Sequence, residues 1–134
     1  MNLSVLKPCL YALWTLPQTL LALFILCFGA VRYERFDEVL LFSALPGGLC
    51  SKFFDGYGFS GFTCGPMIVA YKPSLLYTKR FLKHELRHVT QGWWLGPAFF
   101  VAYYGASAWS WLSGKPAYYG NWFEQDARNH ELDV

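Results

Sequence analysis

Two uncharged apolar runs bracket a basic, strongly periodic middle. From Pro8 to Val31 the chain carries 24 residues without a charge, between Lys7 and Arg32. A bilayer core needs about 20 apolar residues, so this run predicts a membrane helix, with Pro17 and Gln18 as packing or kink positions inside it. Signal-peptide cores are shorter, about 7–15 residues, so the pattern favours a retained helix. A second uncharged run covers the 20 residues from Trp93 to Leu112. It suits a transmembrane helix by length, but Gly96-Pro97, Gly105 and a wealth of Trp and Tyr suit a buried or half-embedded segment on one side of the membrane.

Between the runs, Val39 to Ala44 and Met67 to Tyr71 read as strands, and Pro46-Gly47-Gly48 as a turn after the first. Gly56 to Phe62 reads as a flexible aromatic loop. Pro73 suits a first helical position, and Ser74 to Gln91 follows without Gly or Pro. At about 100° per residue, Tyr77, Phe81, His84, His88 and Leu95 share one stripe of this helix. Leu75, Leu82, Leu86, Val89 and Trp93 form a second apolar stripe; Lys79, Arg80, Lys83 and Arg87 form a basic face.

That projection gives meaning to His84-Glu85-Leu86-Arg87-His88. Two imidazoles four residues apart on one helical face can reach one metal ion, and the acidic residue after the first His can act as a base toward water there. The histidines lie among apolar residues and away from the basic face, where a buried site would put them. A catalytic zinc needs a third protein ligand and an open position. Glu124 is the candidate: it follows Trp122 and Phe123 on a second expected helix, and a carboxylate on a packed face needs a partner. Asp126, His130, Glu131 and Asp133 are rivals nearer the end of the sequence, where fraying concentrates.

With these residues in place, the chain resembles zincin metallopeptidases whose ligands are two His and one Glu. Such proteins carry H-E-x-x-H on one helix and E-x-x-A on a later one, here His84 to His88 and Glu124 to Ala127. It is more closely similar to small bacterial membrane proteins that pair an N-terminal segment like Leu13 to Thr19 with a Lys-His-Glu-x-x-His-x-x-Gln motif (Lys83 to Gln91), then Leu95-Gly96-Pro97, then an aromatic-rich E-x-x-A helix (Tyr118 to Ala127). The resemblance implies zinc on His84, His88 and Glu124, with Glu85 catalytic, and Met67 to Tyr71 as an edge strand holding a peptide or protein substrate. It also implies an Asp four residues after the ligand Glu, supporting a ligand His; Arg128 stands there instead, leaving Asp126 or Asn129 as substitutes. Tyr118, Tyr119 and Arg87 are candidate oxyanion partners.

Composition agrees with a membrane protein. The 134 residues are 54% hydrophobic, 20% aromatic and only 15% charged, against about 25% charged for a soluble domain. The net charge of +2 gives no reason to expect nucleic acid. Eight Lys or Arg lie between residues 32 and 92, against Lys7 before the first run, which places the motif on the cytoplasmic side of a bacterial inner membrane. Cys50 and Cys64 flank the Gly-rich loop and could pair in an oxidising compartment.

The expected architecture is α+β, mainly α. An N-terminal membrane anchor (1–32) precedes a zincin-like metal-binding domain (33–134) of a short hairpin, the motif helix, an apolar helix and a C-terminal helix. The expected function is zinc-dependent peptide-bond hydrolysis at the bilayer. The alternatives are a non-catalytic protein stapled by zinc, or a small interaction subunit without metal.

Overall fold

The computed structural model describes residues 3–27, 30–36 and 39–131; Asp133 lies outside them. The chain is mainly helical with one four-stranded mixed sheet. In sequence order the elements are α1 (Leu3–Trp14), α2 (Leu16–Leu26), β1 (Ala30–Phe36), β2 (Val39–Ala44), α3 (Leu49–Tyr57), β3 (Gly61–Cys64), β4 (Met67–Ala70), α4 (Lys79–Leu95), α5 (Phe99–Leu112) and α6 (Trp122–Glu131). The strand order is β1-β2-β4-β3. β2 and β4 run parallel, with Leu40 opposite Met67 and Ser43 opposite Ala70, and each outer strand pairs antiparallel to its neighbour.

The apolar runs of β2 and β4 explain why they lie at the centre. Strand side chains alternate between faces, so a strand without polar alternation must be covered on both. Val39, Leu41, Ile68 and Ala70 pack with Tyr11, Leu76 and Val89 on one face. Phe42, Ala44, Met67 and Val69 pack with Ala22, Cys50, Phe54 and Cys64 on the other. Met67 to Tyr71 was expected at an edge; β4 is instead internal and fully buried, and the edge beside it is β3. The expected loop from Gly56 to Phe62 is shorter: Gly56 and Tyr57 end α3, and Gly61-Phe62 begin β3. Cys50 and Cys64 are free and buried. Burial pushes the Cys64 thiol up to about 12.

The first apolar run is not one helix. α1 and α2 meet at a bend of 97°, and residues 30 and 31 already belong to β1. Pro17 accounts for the break, since it has no N–H and its ring clashes with the preceding turn. The hydroxyl of Thr15 bonds the Tyr11 carbonyl at 2.8 Å and that of Thr19 bonds the Ala12 carbonyl at 2.8 Å, so backbone acceptors at the break keep donors. Among the described residues no single helix is long and apolar enough to cross a membrane; the bent pair Leu6–Trp14 with Leu16–Ile25 meets the length and composition requirement together. Its outer side exposes Leu13, Leu20, Leu23 and Phe24.

The inner side of this pair grips the motif helix. Tyr11 Oη donates to the Val89 carbonyl (3.1 Å), Trp14 Nε1 to Trp93 (2.9 Å) and Gln18 Nε2 to Gly96 (2.8 Å). The last two capture carbonyls at the C-terminal end of α4, where intrahelical partners run out. Gly96 sits at φ +53° with the Trp14 ring where a Cβ would be, so a side chain is excluded there on two counts.

The expected helix from Pro73 is divided as well. Pro73–Tyr77 is a 3-10 turn, Thr78 is extended, and α4 starts at Lys79. The second apolar run is broken at Gly96, leaving α5 with 14 residues. At 1.5 Å per residue that is about 21 Å, short of the roughly 30 Å hydrocarbon layer. After α5 the chain returns, and α6 packs against α4.

Candidate metal centre

α4 supplies His84, Glu85 and His88; α6 supplies Glu124. The one-turn spacing places both imidazoles on the side of α4 that α6 covers, and Glu124 enters from the first turn of α6 between the buried Phe123 and Ala127. The Nε2 atoms of His84 and His88 are 3.2 Å apart. Glu124 Oε2 lies 3.1 Å from His84 Nε2, and Oε1 lies 3.3 Å from His88 Nε2. Three ligands about 2.1 Å from a tetrahedral ion would be separated by roughly 3.4 Å. The three side chains therefore form a group that could hold a metal ion.

The surrounding bonds decide what this group needs. Gln91 Nε2 donates to the Phe123 carbonyl (3.0 Å) and to Asp126 Oδ2 (2.9 Å), so its Oε1 is an acceptor. His88 Nδ1, 2.8 Å from that oxygen, must carry the proton. His84 Nδ1 faces Glu131 Oε1 at 2.6 Å and likewise donates. Both rings then turn Nε2 toward the Glu124 carboxylate, an arrangement that suits a shared proton or a metal ion among the three side chains. The donor set suits a divalent metal, and the side of the group away from α6 opens into a cleft, leaving a further position for water or substrate.

The charges around the group follow from its burial. Burial works hardest against protonating His84 and His88, but the Glu124 and Glu85 carboxylates outweigh it, and both imidazoles shift upward. Burial also opposes ionisation of Glu124, yet the two histidines and Tyr103 hold its carboxyl far below the ordinary range. Among the described residues no ion pair involves Glu85. Burial raises it above the usual carboxylate range, with His88, Thr63 and His84 pulling the other way. Its Oε2 takes a 2.6 Å hydrogen bond from Thr63 Oγ1 on β3.

The remaining sequence candidates sort by position. Glu131 and Asp126 are outer partners: Glu131 orients His84, and Asp126 holds Gln91, which orients His88. Together they fill the role expected of an Asp at 128; Arg128 instead donates to the Tyr119 carbonyl. Arg87 is bound by Asp126 at 2.7 Å and stacks over Trp94, which commits it away from an oxyanion role. His130 faces the Asp126 carbonyl. Tyr118 lines the cleft beside the metal group, whereas Tyr119 lines a smaller neighbouring one. Tyr103 escaped notice; its hydroxyl donates to Glu124 Oε1 at 2.6 Å. Nothing in the apolar pattern of α5 marks it out from Tyr104.

The outer bonds can be tested directly. Gln91→Met and Glu131→Ala each remove an acceptor from an imidazole Nδ1–H without removing a ligand. Metal affinity is expected to fall about 10–100-fold in each, as is typical for outer-shell partners. Competition against a chromophoric chelator measures it; unchanged affinity would show that the imidazoles need no such support.

Compared with known proteins, the chain matches no family model, no curated protein and no solved structure.

Proposed function

We propose that the protein is a membrane-associated, zinc-dependent peptidase of zincin type. The observation that carries this reading is the pairing of a convergent His84, His88 and Glu124 group with a buried Glu85, outside that group, lining an open cleft of about 860 Å³. A site built only to staple α4 to α6 has no use for a second carboxylate there.

Zinc, when bound by His84, His88 and Glu124, supplies Lewis acidity to a water molecule and to the substrate carbonyl. Glu85 takes the proton from the attacking water and delivers it to the leaving amine. Thr63 holds the Glu85 carboxylate on the cleft side of α4. Tyr118, whose hydroxyl is kept protonated by burial and then by Glu124, can donate to the developing oxyanion. The substrate backbone lies along β3. Gly61, Phe62, Thr63 and Cys64 all line the same cleft although alternate side chains point to opposite faces, so the cleft follows the free edge of the strand.

The test is turnover of a broad peptide library by detergent-purified protein. Chelation should abolish it and added zinc restore it. Activity indifferent to chelation, or none under either condition, would remove the reading.

The membrane assignment rests on the α1–α2 pair and on the exposed apolar side chains of α5, with the metal centre on the cytoplasmic side. Because Glu124 meets both histidines, residues after α2 stay on one side. Single cysteines at Lys52 and Lys115 in a cysteine-free background are expected to react with an impermeant reagent from that same side. Labelling from opposite sides would rule out this topology.

A further inference from the structure

The metal group lies at a boundary between two unlike clefts. The larger, about 860 Å³, is walled by Leu21, Ile25, Phe53, Phe62, Phe100 and Tyr104, and its acidic and imidazole side chains are those of His84, Glu85, His88 and Glu124. The smaller, about 530 Å³, carries Ser60, Thr78, Arg80, Tyr119 and Glu131 alongside Phe59, Leu75 and Phe81. Phe59, Gly61, His84, Glu85 and Tyr118 line both. The rims differ in the same sense. Leu21, Phe53 and Tyr104 are exposed at 40%, 47% and 65% at the apolar mouth, continuous with the outward Leu20, Phe24 and Val101 of α2 and α5. Arg80, 74% exposed and paired with Glu131, stands at the polar one.

A chain crossing the metal group must therefore leave one environment and enter the other. The larger cleft holds no Lys or Arg, and its carboxylates are Glu85 and Glu124 beside the histidines, so burying an unpaired charge elsewhere in it would cost several kcal/mol or more. The smaller cleft offers hydroxyls and an ion pair to polar side chains. β3 sets a direction. Gly58 and Ser60 line only the smaller cleft, Phe62 to Cys64 line only the larger one, and Phe59 and Gly61 line both. A segment pairing antiparallel to β3, the slightly more stable arrangement per residue, puts its N-terminal part in the apolar cleft.

We propose that the site selects a polypeptide where an apolar stretch gives way, toward the C-terminus, to a hydrophilic one, as at the edge of a membrane-embedded segment. The scissile position is the junction. That last statement rests on the peptidase reading; the binding preference rests on the two clefts alone.

Binding is therefore measured apart from cleavage. Zinc-loaded Glu85→Gln protein in detergent is titrated with three fluorescein-labelled peptides, read by anisotropy. One is apolar then polar, one has the same residues in reverse block order, and one is polar throughout. The first is expected to bind about tenfold more tightly than either other, a difference of about 1.4 kcal/mol. Non-specific adhesion to exposed apolar surface treats the first two alike. Equal affinities, or preference for the reversed or the polar peptide, would overturn the proposal. Phe53→Ser, at the exposed rim where folding is not at stake, is expected to weaken the first peptide severalfold and leave the polar one unchanged; an equal effect on both would also count against it. Selective binding without cleavage by zinc-loaded wild type would retire the peptidase reading and leave this preference standing. Cleavage without selectivity would do the reverse.

Discussion

Glu85→Gln is expected to keep its zinc and lose turnover by a factor of order 10²–10⁴, the usual contribution of a positioned general base. The substitution preserves volume, and the Thr63 hydroxyl can still bond the amide. Glu85 is no member of the convergent ligand group, so metal content should remain near that of wild type. The two measurements together separate an enzyme from a stapled protein, because a staple would be indifferent to the change in both. If wild type and variant turn over the peptide library alike, Glu85 is not the base and the peptidase proposal falls.

His88→Ala should produce the largest change in metal binding. Protein purified without added metal is expected to contain about one zinc per chain, and this variant far less, by elemental analysis. The loss has a second consequence. Metal bound to the native state stabilises it by mass action, about 4.1 kcal/mol at a thousandfold excess over Kd. Wild type should therefore melt at a higher temperature with zinc than with chelator, and His88→Ala should show almost no difference. Removing His88 also takes a partner from the buried Glu124 carboxylate, so the variant should be less stable even when both proteins are metal-free. A folded wild type that holds no metal under any condition would exclude both the enzyme and the staple.

Much of this arrangement could be read from the chain. The stripe of Phe81, His84 and His88 identified the inner side of α4, and Glu124 stood out as a carboxylate among Trp122, Phe123 and Ala127. The apolar runs at 39–44 and 67–70 announced strands. Their unbroken character also pointed to a central position, a clue outweighed by the expectation of a substrate-binding edge beside the metal helix. What was hidden depends on contacts remote in sequence. Glu131 lies seven residues beyond Glu124, two helical turns along the same side of α6, but only its meeting with His84 gives it a role. Thr63 is an unremarkable residue until β3 is placed against α4. Gln91 was part of the motif, three residues after His88 and thus its neighbour on the helix, yet which atom it offers is fixed by the Phe123 carbonyl and Asp126. The bend at Thr15 was foreshadowed by Pro17, but uncharged composition alone cannot distinguish a straight helix from two short ones.

The bonds from Tyr11, Trp14 and Gln18 to carbonyls of Val89, Trp93 and Gly96 impose an order on biogenesis. Their partners lie 78 or 79 residues downstream, so most of the chain is synthesised before these side chains have anything to hold. Until then Gln18 is a polar group that an apolar surrounding penalises, and the bent pair lacks its inner support. Contacts of such long sequence separation are slow to form, because the loop between them must be closed first. The α1–α2 pair is thus completed only once α4 has arrived, and the metal group later still, with Glu124. An unrelated hydrophobic anchor grafted in its place could deliver the chain to the same location, but it would leave the motif helix without the three donors waiting for its carbonyls.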